Sequence, residues 1–354
     1  MKFNFINIKN EVYNPALKSF STKIDIPLKT SEETSSDLRD LLRAHKKDIV
    51  EKKFGDISSF NFSRDVFKKR SWNELSKIAR GLFINTSTGE IVARGFDKFF
   101  NYKEGQFNSD AFLKENLQFP VTAYKKYNGF LGILTFDKEQ KRLLFCTKSC
   151  VDGTYSQYFK DIFNTMKASE TDAYFEKLAL HLAENDVCFV FEVIDPVNDP
   201  HIVKYTEPKL VLLAEIKLGA KFSQASYEDL CKSAKEFGFD VKEKVAEIKD
   251  FEELKSFISK SEDFNTVQGE EGWVLEDMAG YHFKLKCAWY KFWKSLREFK
   301  TKLQAGHFVS TSGLTTPLAN RVYGFMKSKG RDWLLERSIV DVRDEFEKEY
   351  ENEQ

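Results

Sequence analysis

The sequence predicts an α+β fold in which antiparallel sheets are flanked by helices, with a small helical unit at the C-terminal end. Two observations carry this. Short apolar-alternating runs come in groups, with helical stretches inserted between them rather than alternating strictly, which argues against a parallel doubly wound sheet. From Trp289 onward the apolar spacing is helical almost to the end, broken near Ser310–Pro317. The expected division is a domain at 1–295, with an N-terminal extension, followed by a helical unit at 296–354.

In chain order, a Ser/Thr-rich start leads to a helix over Leu38–Phe54, and Arg64–Ala79 has the spacing of another. Strands follow at Gly81–Asn85, Glu90–Gly95, Val121–Lys126, Phe130–Phe136, Arg142–Thr147, Val187–Ile194, Ile202–Tyr205, Leu210–Ile216, Gly272–Glu276 and His282–Lys286. Turn signals such as Ser87-Thr88-Gly89 and Asp152-Gly153 separate them. Helical spacing returns at Ser156–Lys167, Asp172–Glu184, Ser226–Phe237 and Phe251–Ser261.

The 354 residues carry 55 basic and 55 acidic side chains, so net charge points to no polyanionic partner. Its distribution does. KLKCAWYKFWKSLREFKTK (Lys284–Lys302) interleaves seven cations and one acid with aromatics, a pattern that a phosphate backbone would feel. Five scattered cysteines with no CxxC pair read as reduced thiols, so the chain is expected inside the cell, in the cytoplasm (the host's, for a viral protein). No apolar run approaches the ~18 residues of a membrane span. The five histidines have no metal-ligand spacing, and GxxxxGK[ST], GxGxxG, HExxH and GxSxG are all missing.

Lysine is then the candidate nucleophile. Lys-x-x-Gly occurs at Lys52, Lys126, Lys235 and Lys327, and at all but Lys126 the glycine is expected to end a helix. Lys126 lies between two apolar strands, beside Lys125 and ahead of Asn128-Gly129. There it is either an exposed lysine at a hairpin turn or an amine held in a cleft to react. Glu192 and Glu271 sit among apolar residues, where a carboxylate is costly unless it meets a cation or donors. Either could bind a divalent metal, or be a core carboxylate with a backbone or arginine partner. Lys284 and Lys286 share a strand face, which suits a common anion or a solvent-facing edge. Arg80 and Lys98 add cations. Together these groups suit attack by an amine on a nucleotide α-phosphate.

The segments ARGLFIN, ARGFDKFFNYKE, KYNG, TKSC, FEVIDPVNDPHIVKY, KLVLLAEI, EGWVLED and KLKCAWY resemble, in order, those of nucleotidyltransferases that form a covalent lysyl-AMP. Within that superfamily they look like the phage and fungal RNA ligases of tRNA repair. The resemblance covers roughly Ala79–Trp293. It implies that Lys126 is the adenylylated residue, with Lys125, Asn128 and Gly129 beside the nucleotide. Arg80 and Lys98, with Lys148 of TKSC, would contact it as well. Glu192 and Glu271 would lie near metal or ribose, and Lys284 and Lys286 at the α-phosphate. It also implies ATP as AMP donor, Mg²⁺ or Mn²⁺, and a monomer acting on RNA ends with a 5′-phosphate and a 3′-hydroxyl, as in broken tRNA. The chain departs from the family where Asn128 replaces the commoner aspartate of Lys-x-Asp-Gly, and TKSC lacks a glycine often found there. A transferase that stops before joining, or a non-catalytic RNA-binding domain, are the alternatives.

Overall fold

The structure is a computed structural model that describes residues 11–14, 19–22, 31–105, 107–307 and 313–351. A two-stranded ribbon, β1 (Glu11–Asn14) and β2 (Ser19–Thr22), precedes helix α1 (Ser31–Ala44). The helix expected over Leu38–Phe54 stops at Ala44, and its second half is strand β3 (Ile49–Phe54). That strand pairs residue for residue with β4 (Ile57–Phe62) around Gly55, so a long-range ladder overrides a local helical pattern. Gly55 therefore turns a hairpin instead of ending a helix.

The expected Arg64–Ala79 helix is two short ones, α2 (Arg64–Lys69) and α3 (Glu74–Ile78). Arg70 adopts a left-handed φ of 54° and ends the first. Asn73 starts the second with a reciprocal capping box to Ser76. Next come β5 (Leu82–Asn85), β6 (Ile91–Arg94), the unanticipated helix α4 (Asp110–Asn116) and β7 (Val121–Lys125). Strands β8 (Phe130–Asp137) and β9 (Arg142–Thr147), helices α5 (Thr154–Met166) and α6 (Asp172–Glu184), and strands β10 (Val187–Ile194) and β11 (Lys209–Lys217) match their expected spans to within two residues. After α7 (Tyr227–Phe237) and the short β12 (Asp240–Val241) come β13 (Lys244–Ile248), α8 (Phe251–Glu262), β14 (Gly272–Glu276) and β15 (His282–Lys286). The chain then runs through α9 (Ala288–Gln304), α10 (Pro317–Lys329), α11 (Arg331–Leu335) and α12 (Ile339–Glu351). Part of the expected break near Ser310–Pro317 lies outside the described residues.

Two compact units emerge, each assembled from several stretches of chain. The first comprises residues 1–116, 130–193 and 209–243, and holds the sheets β3-β4-β5-β6 and β12-β11-β10-β8-β9. Alternation along β10 sends Phe189, Phe191 and Val193 into a core with Phe159, Phe163 and Phe237, while Cys188 and Val190 face another core with Phe83 and Ile133. Much of the abundant phenylalanine is spent here, each fully buried ring contributing about 1.5–3 kcal/mol. The second unit comprises 117–129, 194–208 and 244–354, and holds the antiparallel sheet β13-β7-β14-β15 with helices α8 to α12. Its core gathers Trp289, Trp293, Leu296, Phe299, Val322, Met326 and Val342. Ile202–Tyr205, expected as a strand, is irregular. Among the described residues no helix is long and apolar enough to cross a membrane.

Candidate active site

The second unit brings three of the expected residues into mutual contact. Lys126 follows β7, Glu271 precedes β14 and Lys286 ends β15, and β14 pairs with both of the other strands. Two carbonyl approaches fix the arrangement. The Lys126 amide donates to the Gly272 carbonyl at 2.9 Å. Gly272 has φ of 139°, and a Cβ there would sit 2.0 Å from the Leu285 carbonyl oxygen, so no other residue fits this position.

Glu271 is 2% exposed and lies 3.0 Å from the Lys126 ammonium and 3.1 Å from that of Lys286, both on Oε1. Burial by itself would raise its carboxyl, but the two ammoniums outweigh it and hold the pKa below the ordinary value. Lys286 is lowered, first by burial and, after Glu271 opposes it, by Lys126 and Lys294. Its ammonium lies 4.7 Å from the Tyr290 ring centre. Lys125 takes a different partner, Glu270 at 3.0 Å. Lys284 sits two residues before Lys286 on the same strand face, opposite Val274.

Asn128, 4% exposed, is the hub of this cluster. Its Nδ2 donates to Glu271 Oε2 at 2.8 Å, and its Oδ1 accepts the backbone N–H groups of Ile202 and Val203 at 3.1 and 3.0 Å. Its own N–H donates to the Tyr205 hydroxyl at 3.0 Å. The Ile202–Tyr205 segment thus satisfies backbone groups through a side chain instead of a ladder, which is why it is not a strand. The amide both donates and accepts here. An ionised aspartate would set two carboxylates against each other. Beside Asn128 opens a cleft of about 310 Å³, walled mainly by residues 194–205 and 338–341. Gly129 completes the turn into β8.

The first unit holds the other cations. Arg80 is half-buried, its pKa lowered by burial against the pull of Glu192 and Asp97. Glu192 faces the same side of β10 as Cys188 and Val190, and is half-buried rather than enclosed. Gly81, with φ of 66°, donates its N–H to the Lys148 carbonyl at 3.1 Å and accepts from Gly95, which ties these segments together. The Lys98 ammonium lies 3.7 Å from the Phe100 ring centre and 5.1 Å from that of Trp72, with Glu104 at 3.7 Å. Burial lowers its pKa to about 8, opposed by Glu104 and assisted by Arg80 and Lys148. Lys148 is exposed, lies 4.5 Å from the Phe62 ring centre, and is lowered by partial burial and then by Arg80 and Lys52.

The metal expectation divides. Glu271 does not fit a metal ligand, because one oxygen takes two ammoniums and the other an amide. Glu192 offers one carboxylate beside a cation. Among the described residues no three His, Cys, Asp or Glu side chains form a metal-binding group. Magnesium commonly uses one or two carboxylates together with phosphates and waters, so Glu192 fits an ion carried by a nucleotide.

The sequence model described as RNA ligase matches residues 78–290, more than half of the chain. The chain belongs to the RNA ligase family. A tRNA ligase of Candida albicans is 25% identical over a region that covers 62% of this chain and 30% of that protein, so the chain spans under a third of that relative's length. An archaeal ATP-dependent RNA ligase has, in one of its solved forms, a TM-score of 0.53 at 12% identity, covering 88% of this chain and 78% of that one. A chain from Aquifex aeolicus, provisionally described as an ATP-dependent DNA ligase, gives 0.51 at 17% identity, covering 88% and 80%. At these identities the likeness is one of fold. The α+β architecture of antiparallel sheets and flanking helices is therefore that of the ATP-dependent ligases.

Within this family member, sequence reasoning passed over Tyr205, Tyr290 and the rings of Phe62, Trp72 and Phe100. Tyr290 stands inside KLKCAWY and carried a signal. Phe100 stands inside ARGFDKFFNYKE and carried one as well, while Phe62 and Trp72 lie outside every quoted segment.

Proposed function

We propose that the chain is an ATP-dependent RNA ligase whose nucleophile is Lys126. The observation that carries this reading is the Lys126–Glu271–Lys286 cluster, built from three strand ends in a chain of the RNA ligase family. In the first step the Lys126 amine attacks the α-phosphorus of ATP. A nitrogen–phosphorus bond forms, the bond to the β-phosphate oxygen breaks, and pyrophosphate leaves. A 5′-phosphate oxygen of RNA then displaces Lys126 and takes the AMP, and a 3′-hydroxyl displaces AMP to close the phosphodiester. Each step is an in-line displacement at phosphorus.

Glu271 holds the Lys126 ammonium at rest, and Asn128 holds Glu271. Lys284 and Lys286 are proposed to meet the α-phosphate, and Arg80, Lys98 and Lys148 the other nucleotide phosphates, whose charge would stabilise the protonated form of the lowered lysines. A Mg²⁺ or Mn²⁺ ion carried by ATP and held at Glu192 would reduce charge on the phosphoryl oxygens. Residues 1–295 are proposed to carry the transfer, and 296–354 to select RNA shape. Recognition of structured RNA by shape and exposed single strands makes broken tRNA a fitting substrate. We place the protein in the cytoplasm as a monomer.

The test is incubation with α-labelled ATP and Mg²⁺, followed by 5′-phosphorylated RNA. Label on Lys126 that moves to RNA, followed by strand joining, is the expected outcome. Label that never leads to joining would favour a transferase. Equal labelling of Lys126→Ala and wild type would sink the reading.

A further inference from the structure

Helix α9 buries one face in the core and carries half-exposed cations beside it. Trp289, Trp293, Leu296 and Phe299 are buried in the core shared with α10 to α12. The aromatic half of the basic-aromatic stretch read from the sequence is therefore structural. About a quarter-turn away, spacing of four and three residues aligns Tyr290, itself a buried member of that core, with the half-exposed Lys294 and Arg297. The near end of this row touches the reactive cluster, with the Tyr290 hydroxyl 3.5 Å from Asn128 Nδ2 and the ring beneath the Lys286 ammonium.

Lys294 and Arg297 are half-exposed, and neither forms an ion pair with a carboxylate among the described residues, Glu298 one turn on from Lys294 included. Some surface cations here are neutralised, as in Lys69 with Asp65 at 2.9 Å and Lys204 with Asp344 at 2.6 Å, whereas these two are not. Two unneutralised cations prolonging a row that already holds Lys126 and Lys286 raise the local positive potential, which favours a polyanion.

We propose that Lys294 and Arg297, running on from the buried Tyr290, form the track for the RNA strand that bears the 5′-phosphate, with both cations on its phosphodiesters. The proposal rests on the ligase reading above. To receive AMP, the terminal phosphate must reach the phosphorus held on Lys126. The nucleotides behind it must then leave across adjoining surface, and α9 supplies a cationic surface there.

The experiment uses the full chain with Lys294→Gln, Arg297→Gln and the double variant, which keep the side-chain stems, and Lys69→Gln as a control for charge loss. Affinity for 5′-phosphorylated single-stranded RNAs of two sequences is measured between roughly 50 and 200 mM salt. Each removed cation is expected to flatten the slope of log K against log salt by about 0.7, and to weaken binding about fivefold near 0.1 M salt. The loss should be equal for both sequences, because phosphates carry no sequence information. Lys294→Arg should restore the wild-type slope. A double variant with wild-type slope and affinity, or a loss no larger than that of Lys69→Gln, overturns the track while wild-type joining of RNA leaves the ligase reading standing. A wild type that neither labels Lys126 nor joins ends overturns the ligase reading and the track with it.

Discussion

The cationic clusters of the two units are built in opposite ways. In the second unit Lys126 and Lys286 share the Glu271 carboxylate at about 3 Å, and its remaining oxygen is bonded by Asn128. In the first unit Lys98 and Lys148 rest on aromatic faces, the carboxylate nearest Lys98 is Glu104 at 3.7 Å, and burial lowers both lysines and Arg80. One cluster is held by its own charges and keeps its geometry without a ligand. The other is more loosely paired, Lys98 with Glu104 at 3.7 Å, and gains most when an anion arrives. On the proposed reading, the contrast separates a place for chemistry from a place for phosphate.

Lys126→Ala makes the largest change expected on the paired side, since no other group replaces its amine. Covalent AMP should be lost entirely, as read by α-labelled ATP. Glu271→Ala comes next. It leaves two partly buried ammoniums facing each other without their shared carboxylate, and solvent access keeps the cost to about 1–3 kcal/mol, measurable as a lower denaturation midpoint. The pH dependence follows from the same pair. A carboxyl whose folded pKa lies below its ordinary 4.5 stabilises the fold above that pH, and the contribution is lost as pH falls through the folded value.

The more loosely paired side should respond with the opposite sign. Lys98 drops from 10.5 to about 8 in the fold, so its charged form opposes folding by on the order of 3 kcal/mol below pH 8. That penalty fades as pH rises from 8 to 10.5. Lys98→Met should therefore be more stable than wild type at pH 7, with the gap closing toward pH 10.5, while its ATP affinity falls. If Lys98→Met instead destabilised the fold at pH 7, the contrast between the clusters would be gone.

The smallest expected effect is the most diagnostic for Asn128. Asn128→Asp restores the residue more common in the family, yet here it should destabilise by about 1–3 kcal/mol and slow labelling of Lys126. The aspartate would face Glu271 where an amide now donates at 2.8 Å. Thermal melting and labelling rate check it together, and a neutral or improved variant would remove Asn128 from its role as hub.

The sequence alone determined which groups could act. Period-two alternation located most strands within two residues, and ordered motifs marked Lys126, Glu271, Lys286, Arg80 and Lys98. Capping signals closed α7 at Gly238, as expected. Alternation and spacing specify which face of its own element a side chain takes, so these features were legible locally. Tertiary structure decided the partners. It turned Ile49–Phe54 into a strand by pairing it with β4, and freed Ile202–Tyr205 from one by giving its N–H groups to Asn128. It gave Glu271 to Lys126 across 145 positions, and made Trp289 and Trp293 core while leaving Lys294 and Arg297 outside. A residue's face follows from the few positions around it, but its partner depends on which distant backbone the sheet register brings alongside.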